Sequence, residues 1–384
     1  MQLGTTYDEE HEAFRKVVRT WLEREIAPHW MEWERAGILP RSVFADAGRN
    51  GFLGFAIPEE YGGGGTDDFR FNAVLAEEIG HAGMLSLSSG LNLHNDITTP
   101  YFLEYCTDEQ RRRWLPGIAS GELITAVAMT EPGTGSDLAG MTTKAVRDGD
   151  AYVVNGSKTF ITNGINSDLI IVAVRTDTSS RHGGLSLVVV ERGMPGFERG
   201  RNLEKLGQHA QDTAELFFTD VRVPRGNLLG EEGRAFEYLV ANLAQERLTI
   251  AINSLALAEG CIAWTVDYVR TRTAFGGPIG GFQATRHRLA ELVTEVEVTR
   301  AYIDRCLPKH LTRDLSAVEA AQAKLWSTEV LGRVSDGCLQ LFGGYGYMSE
   351  YPIARAYADA RVARIYGGTN EIMKEIIGRD LALG

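Results

Sequence analysis

The chain is poor in the features that mark secreted, nucleic-acid-binding or membrane-spanning proteins. Its four cysteines, Cys106, Cys261, Cys306 and Cys338, stand far apart with no CxxC pair among them. That spacing argues against a disulfide framework or a cysteine-built zinc site and suits free buried thiols in a reducing compartment. Basic residues are outnumbered, 39 Lys and Arg against 51 Asp and Glu, giving a net charge of −12. So acidic a chain lacks the basic face that nucleic acid or an anionic bilayer requires. An anionic ligand must then be held by a few placed Arg, Lys and backbone N–H groups. No apolar run approaches roughly 18 residues, so no membrane span is expected. The opening MQLGTTYDEEHEAF is acidic and without an apolar centre, so neither a secretory signal nor an Arg-rich transit peptide is read there and a cytoplasmic location is expected. His94 has no second metal-type ligand four residues on, which makes it a satisfied wall residue and leaves no metal site in view.

What is present is enough for a large core. With 384 residues, 44% hydrophobic and 23% charged, two or three ordinary globular domains are expected. Apolar residues recur at helical spacing from Asp8 to Ile26, Pro40 to Gly51 and Phe69 to Ile79, with a further apolar stretch from Leu85 to Tyr105. PEEYGGGG reads as a loop, and RRRWLP, ending at Pro116, closes this helical part. Near Gly121 the period changes. AYVVNGSKTFITNG, DLIIVAVRT, GLSLVVVE and TAELFFTDVRVP are short, β-branched and turn-bounded, without the helices a βαβ unit needs. After GEEG, helical patterns return over Phe236 to Val269, Gln283 to Cys306, Ser316 to Leu341 and Asn370 to Leu383, as in a bundle of long antiparallel helices. The expected organisation is multidomain α+β: residues 1–120 helical, 121–229 an antiparallel β domain, 230–384 a helix bundle.

Chemistry concentrates in two kinds of stretch. NLAQERLTIA, Asn242 to Ala251, carries Glu246 and Arg247 inside an apolar helical run. A carboxylate there either finds a cation or keeps its proton near neutral pH. Taken alone, Glu246 reads as an ordinary helix-surface acid. The other kind is glycine-rich. MTEPGTGSDLAG has Gly133 and Gly135 but no third glycine at dinucleotide spacing and no βαβ unit, so it fails as a Rossmann fingerprint. It does offer a turn of N–H groups flanked by Thr130, Thr134 and Ser136. QLFGGYGY permits close backbone approach, and RIYGGTNEI ends in Thr369 and Asn370, plausible caps of a last helix whose N-terminus attracts an anion or a carbonyl oxygen. Each by itself is an ordinary turn.

Together, MTEPGTGSD, NGSKTFITNG, RTRTAFGGPIGGFQ, QLFGGYGY and RIYGGTNEI, in this order, resemble the acyl-CoA dehydrogenase family over essentially the whole chain. AQDTAELFF, the QER of the helix and EYPIARAYADARVARIYGGTNEIMKE are most similar to its long-chain branch. The resemblance implies an N-terminal helical domain, a central β-barrel-like domain and a C-terminal four-helix bundle, with FAD between the last two. It places the flavin against the Val127 to Ser136 loop, Met129, Thr130 and Gly135 included, and against Phe160, Ile161 and Thr162, with Thr130 and Thr162 bonding the ring. Arg272, Phe275, Gln283 and Gln340 to Gly344, Gly343 among them, would hold the pyrophosphate and adenosine of a flavin in a second subunit. Thr369 and Glu371 would close the first subunit's side. A homotetramer, a dimer of dimers, is therefore expected.

The implied reaction, a step of fatty-acid β-oxidation, is α,β-desaturation of an acyl-CoA thioester. A base takes the α-proton and the β-hydrogen leaves as hydride to flavin N5, the electrons passing on to an electron-transferring flavoprotein. The carbonyl oxygen would be met by a flavin ribityl hydroxyl and the N–H of Gly367. The family places its base at either of two positions. At one this chain has Gly367, without a carboxyl; at the other it has Glu246. Arg247, Leu243, Tyr366 and Gly368 would border the substrate, and Ser136 its pantetheine arm. The family pattern is departed from at Phe160, often Trp, at Ala244, often Asp, and in KLGQHAQDT, where His209 and Gln211 replace the usual Arg and Ser. An oxygen-reactive oxidase or monooxygenase of the same fold, or a non-catalytic acyl-CoA-binding protein, are the alternative readings.

Overall fold

A computed structural model describes residues 6–177 and 184–382, so Leu383, the last residue of the expected final helix, lies outside the described residues. The N-terminal part is helical: α1 (Glu9–Trp21), α2 (Trp30–Ala36), α3 (Ser42–Arg49), α4 (Arg70–His81), α5 (Leu85–Asn92), α6 (Thr99–Tyr105) and α7 (Asp108–Ser120). The ends of these helices follow local chemistry. α7 begins at a capping box in which the Thr107 hydroxyl accepts from Gln110 N–H while the Gln110 side chain accepts from Thr107 N–H, and it stops at left-handed Gly121. The expected Leu85 to Tyr105 stretch is two helices joined by a π-helical turn, Leu93–Thr98. Periodicity passed over α2, whose seven residues hold too few turns to register.

The middle part is one sheet of β1 (Thr125–Ala128), β2 (Lys144–Asp148), β3 (Ala151–Thr162), β4 (Leu169–Arg175), β5 (Leu185–Glu191), β6 (Phe197–Asn202), β7 (Thr213–Pro224) and β8 (Leu228–Leu229). Its order is β6-β7-β3-β2-β4-β5-β8, with β1 beside β4. Most pairings are antiparallel, as the short turn-bounded segments without intervening helices imply, but β1 runs parallel to β4, Thr125 opposite Leu169, and β2 meets β4 in parallel at Lys144 and Arg175. A parallel neighbour needs a long connection, and the chain between these strands, which includes β2 and β3, supplies it.

The C-terminal part comprises α8 (Ala235–Thr271), the hairpin β9 (Thr273–Ala274) and β10 (Gly277–Pro278), α9 (Gln283–Leu311), α10 (Ala317–Phe342), α11 (Pro352–Ala360) and α12 (Asn370–Asp380). α10 packs against α8, α9, α11 and α12. The sequence reading did not single out α11, a nine-residue helix opened by Pro352. α8 qualifies the expectation about apolar runs, since it is long and apolar enough by composition to cross a bilayer. Its apolar stretch is instead 72% buried inside the protein.

α8 also joins two cores. Ala235 and Leu239 pack with the sheet, α6 and α7, whereas Leu248, Ala251, Ile252 and Leu255 pack in the bundle. Each fully buried leucine contributes about 1.5–3 kcal/mol relative to exposure, so both ends of α8 are held firmly. Glu246 sits at the changeover.

Candidate active site

At that changeover α8 turns Glu246 inward to 4% exposure. The nearest partner is the Tyr101 hydroxyl of α6, 3.4 Å from Oε1, long for a hydrogen bond to a carboxylate. Burial raises the carboxyl, and the Arg247 charge and the Tyr101 bond only partly offset it, leaving a pKa of about 7. Arg247 is as buried, its guanidinium pKa is pushed down by burial, and its Nε has no partner among the described residues. A buried acid poised near neutrality beside an unsatisfied guanidinium is a site built for a ligand that brings its own acceptors.

Gly367 reaches the same face of α8. A Cβ built on it would stand 2.3 Å from Cδ1 of Ile250, one helical turn beyond Glu246, and its φ of +63° is strained for any side chain. The turn holding Gly367 and Gly368 is pinned from behind by Lys324, fully buried, whose Nζ donates to Gly368 O at 2.8 Å and to Asn370 Oδ1 at 2.9 Å. Burial draws that ammonium down to about 8. Thr369 caps α12 by accepting from Ile372 N–H, and Glu371 lies exposed in the first turn, its carboxyl held low by hydrogen bonding at the helix start. Tyr366 has Gln208 and Ser89 as side-chain partners, and Leu243 is half-buried one turn before Glu246.

The loop after β1 forms a second wall. Val127, Met129 and Thr130 are half-buried, while Gly135 and Ser136 are exposed. An internal ion pair tethers the loop: Glu131 meets Lys158 Nζ at 3.0 Å and accepts from Thr142 N–H, Thr142 Oγ1 and Thr143 N–H, and Lys158 also donates to Met129 O. Burial would raise Glu131, but the Lys158 charge and these hydrogen bonds bring it to about 2. Thr159 N–H ties Thr130 O to β3. There β3 bulges against β7 between Lys158 and Ile161, and Phe160 adopts a left-handed φ of 60° with 67% of its surface exposed. Such a conformation costs on the order of 1–3 kcal/mol for a non-glycine residue and clusters at ligand clamps. Ile161 turns into the sheet core, so it can offer a flavin its backbone but not its side chain; Thr162 beside it is half-buried.

The remaining expected residues gather elsewhere. Arg272, Gln340, Gly343 and Gly344 line a cleft of about 540 Å³ at the far end of α8. Phe275 tips the β9–β10 hairpin, left-handed and 99% exposed, 6.1 Å from the Phe282 ring, and Gln283 opens α9 beside it. Arg272 lies 5.4 Å from the Tyr345 ring centre. Open space surrounds a Cβ built on Gly343 or Gly344. Between Glu246 and Arg272 the helix runs roughly 39 Å at 1.5 Å per residue. The two groups of expected residues thus lie well apart on one chain. The aromatic faces, the open glycines and the arginine fit a planar ring system with an anionic tether, as a flavin dinucleotide requires.

Four features escaped the sequence reading: Tyr101, the Glu131–Lys158 pair, Lys324, and Asp96 in the π-helical turn. Each is a partner supplied from a distant segment, and only MTEPGTGSD and NGSKTF, in which Glu131 and Lys158 lie, carried a local signal. KLGQHAQDT also turns inward: Gln208 and Gln211 are buried, and Gln211 donates to Asn163 Oδ1 at the end of the bulged strand.

Fold and site together define a flavin-dependent oxidoreductase, and comparison with known proteins specifies which. The acyl-CoA dehydrogenase N-terminal, middle and C-terminal domains match residues 8–122, 126–221 and 233–382. The mitochondrial long-chain specific acyl-CoA dehydrogenase of Sus scrofa is 48% identical over 377 residues, 98% of this chain and 87% of the relative. An acyl-CoA dehydrogenase structure from Geobacillus kaustophilus, 53% identical, superposes with a TM-score of 0.96, covering 98% of this chain and 99% of that one. A glutaryl-CoA dehydrogenase of Mycobacterium smegmatis in complex with FADH2, 26% identical, reaches 0.91, covering 99% and 96%. The chain belongs to the acyl-CoA dehydrogenase family, and is an FAD-dependent oxidoreductase.

Proposed function

We propose that the protein desaturates an acyl-CoA thioester to the trans-2-enoyl-CoA, with Glu246 as the base. The observation that carries this reading is the Glu246 carboxyl itself: buried, thinly partnered, near pKa 7, and one turn along α8 from Ile250, which meets the Gly367 turn. A general base works best with a pKa near the working pH. Once ionised, Glu246 takes the α-proton, and Tyr101 orients its Oε1. The Gly367 N–H meets the charge that develops on the thioester oxygen, and Lys324 holds that turn rigid from behind. Arg247 offers its free N–H toward the substrate side, with Leu243, Tyr366 and Gly368 forming the border and Ser136 at the pantetheine arm. Bound FAD supplies the hydride acceptor. Val127, Met129, Thr130, Gly135, Phe160, Ile161, Thr162, Thr369 and Glu371 hold the ring end within one subunit. The Arg272, Phe275, Gln283, Gln340, Gly343 and Gly344 half-site serves the flavin of a neighbour, which calls for at least a dimer and fits a homotetramer.

The names of the relatives favour a long acyl chain, and an electron-transferring flavoprotein is the proposed acceptor. The division into residues 1–120, 121–229 and 230–384 belongs to the same reading. Anaerobic addition of straight and branched acyl-CoAs of graded length to the holoenzyme is the test. Bleaching of the flavin by long chains supports the proposal; no bleaching by any thioester sinks it.

A further inference from the structure

Asp96 lies in the π-helical turn between α5 and α6 at 2% exposure, a buried carboxyl with no part in the reaction as drawn. Its two oxygens are both engaged: Asn72 Nδ2 of α4 donates to Oδ1 at 2.6 Å, and Thr249 Oγ1 of α8 donates to Oδ2 at 3.0 Å. Its main-chain oxygen accepts from Gln245 Nε2 of α8 at 2.6 Å. These two α8 contacts lie one residue before and three after Glu246, so Asp96 grips the turn of α8 that carries the base. Glu246 itself is steered at its tip by a single long contact with Tyr101. The placement of its carboxyl therefore follows its backbone, and Asp96 bonds the side chains that flank it on that stretch of α8. π-Turns inside helices are frequent at functional sites.

We propose that Asp96 is a positioning residue for Glu246, clamping α8 through Gln245 and Thr249 so that the base meets the α-carbon. The proposal rests on Glu246 being the base. Burial pushes the Asp96 carboxyl up to about 7, with Asn72 and Thr249 opposing the rise, and no cation is among the groups that shift it. Asp96 therefore contributes by hydrogen bonding and carries no fixed ion pair. Asp96→Asn keeps one oxygen and turns an NH₂ toward Thr249 or Asn72, so the second strut survives only if the Thr249 hydroxyl or the Asn72 amide reverses its role, and the charge assistance is lost. Thr249→Val removes the other half of the same contact at almost constant volume, and Thr249→Ser keeps the donor.

The experiment compares these holoenzymes in anaerobic rapid mixing with a saturating acyl-CoA across pH, and in amide hydrogen exchange of the 242–250 segment. Asp96→Asn and Thr249→Val are expected to slow flavin bleaching roughly ten- to a hundredfold, as for a base displaced by a fraction of an ångström to an ångström. FAD content and the acyl-CoA concentration for half-saturation stay unchanged, the midpoint of the pH–rate curve moves, and exchange speeds up in 242–250 alone. Thr249→Ser recovers much of the rate lost in Thr249→Val. A wild-type rate and pH profile in Thr249→Val overturns the proposal, as does a loss confined to thermal stability. Glu246→Gln, run alongside, separates the two claims: if it bleaches at the wild-type rate, the base assignment has failed; if it does not bleach while Thr249→Val is unaltered, only the clamp has.

Discussion

Glu246 and Glu78 are each 4% exposed, yet they are opposite kinds of carboxyl. Glu78, on α4, is enclosed by α1 arginines: Arg15 Nη1 at 3.0 Å and Arg19 Nε at 2.9 Å, with His81 near. Burial would raise its pKa, but the His81, Arg19 and Arg15 contacts hold it at about 2. Its neighbour Glu77 is likewise bound by Arg15 at 2.9 Å and by Arg300 of α9. Glu246 has burial and almost none of the compensation, and stands near 7. Equal burial thus gives an ionised strut in one place and a carboxyl poised near neutrality in the other. What differs is how many donors the fold brings to the carboxyl.

The sharpest break between the two is made by neutralising each in turn. Glu246→Gln should lower the anaerobic bleaching rate by roughly a hundred- to ten-thousandfold, the range for loss of a general base, with FAD and acyl-CoA still bound. Arg15→Met should do the reverse. It removes one cation from two buried carboxylates that keep Arg19 and Arg300, so urea denaturation should register a loss of about 1.5–3 kcal/mol, while bleaching per bound flavin stays at the wild-type rate. A slowed flavin reaction in Arg15→Met, or a destabilised Glu246→Gln, would blur the distinction.

This contrast also marks what could be read in the sequence. Helices with several turns, such as α4, α8, α9 and α10, declare themselves by period, and the strands β3, β4, β5 and β7 by short β-branched segments between turns. Short α2 and α11 do not, nor does the parallel β1–β4 pairing, because a partner strand lies outside any local window. Among the site residues, Glu246 was singled out because the acid sat in an apolar run and Gly367 removed its rival. That it is thinly partnered was not readable, since the number of donors around it depends on α6 and α1 being where they are. Asp96 gave no signal at all: its role exists only once α4, the π-turn and α8 meet. The inward turn of Ile161 was hidden for the same reason, because the β3 bulge shifts the alternation by one residue.

pH separates the carboxyls by sign. The folded pKa of Glu246 lies above its unfolded value, so the folded state holds the extra proton between about 4.5 and 7, and wild-type stability falls over that window as pH rises. Glu246→Gln lacks this loss, and its stability should gain on wild type across the same window in denaturation curves. The bleaching rate runs the other way, rising as Glu246 ionises through about 7. Glu78 is depressed, so its contribution is full above its unfolded value of about 4.5 and is lost as pH falls toward about 2.

The smallest effect is expected from moving the base. Glu246→Gly with Gly367→Glu puts a carboxyl on the opposite side of the same space, but its Cβ collides with Ile250 Cδ1 and its backbone is left-handed. A small fraction of bleaching should return, and more should return when Ile250→Ala opens the contact. No recovery with the shortened residue would mean that the Gly367 turn does not face the α-carbon.

Glu246 holds its proton near neutrality, in the proposed reading, because the fold buries it with only the long Tyr101 contact and the adjacent Arg247 charge to offset burial. Difference infrared spectroscopy of wild type minus Glu246→Gln, titrated from roughly pH 5 to 9 around the ordinary carboxyl and histidine range, reads that proton directly. A protonated carboxyl band that vanishes with a midpoint near 7 is the predicted result. A carboxylate at every pH, as Glu78 would give, would contradict it.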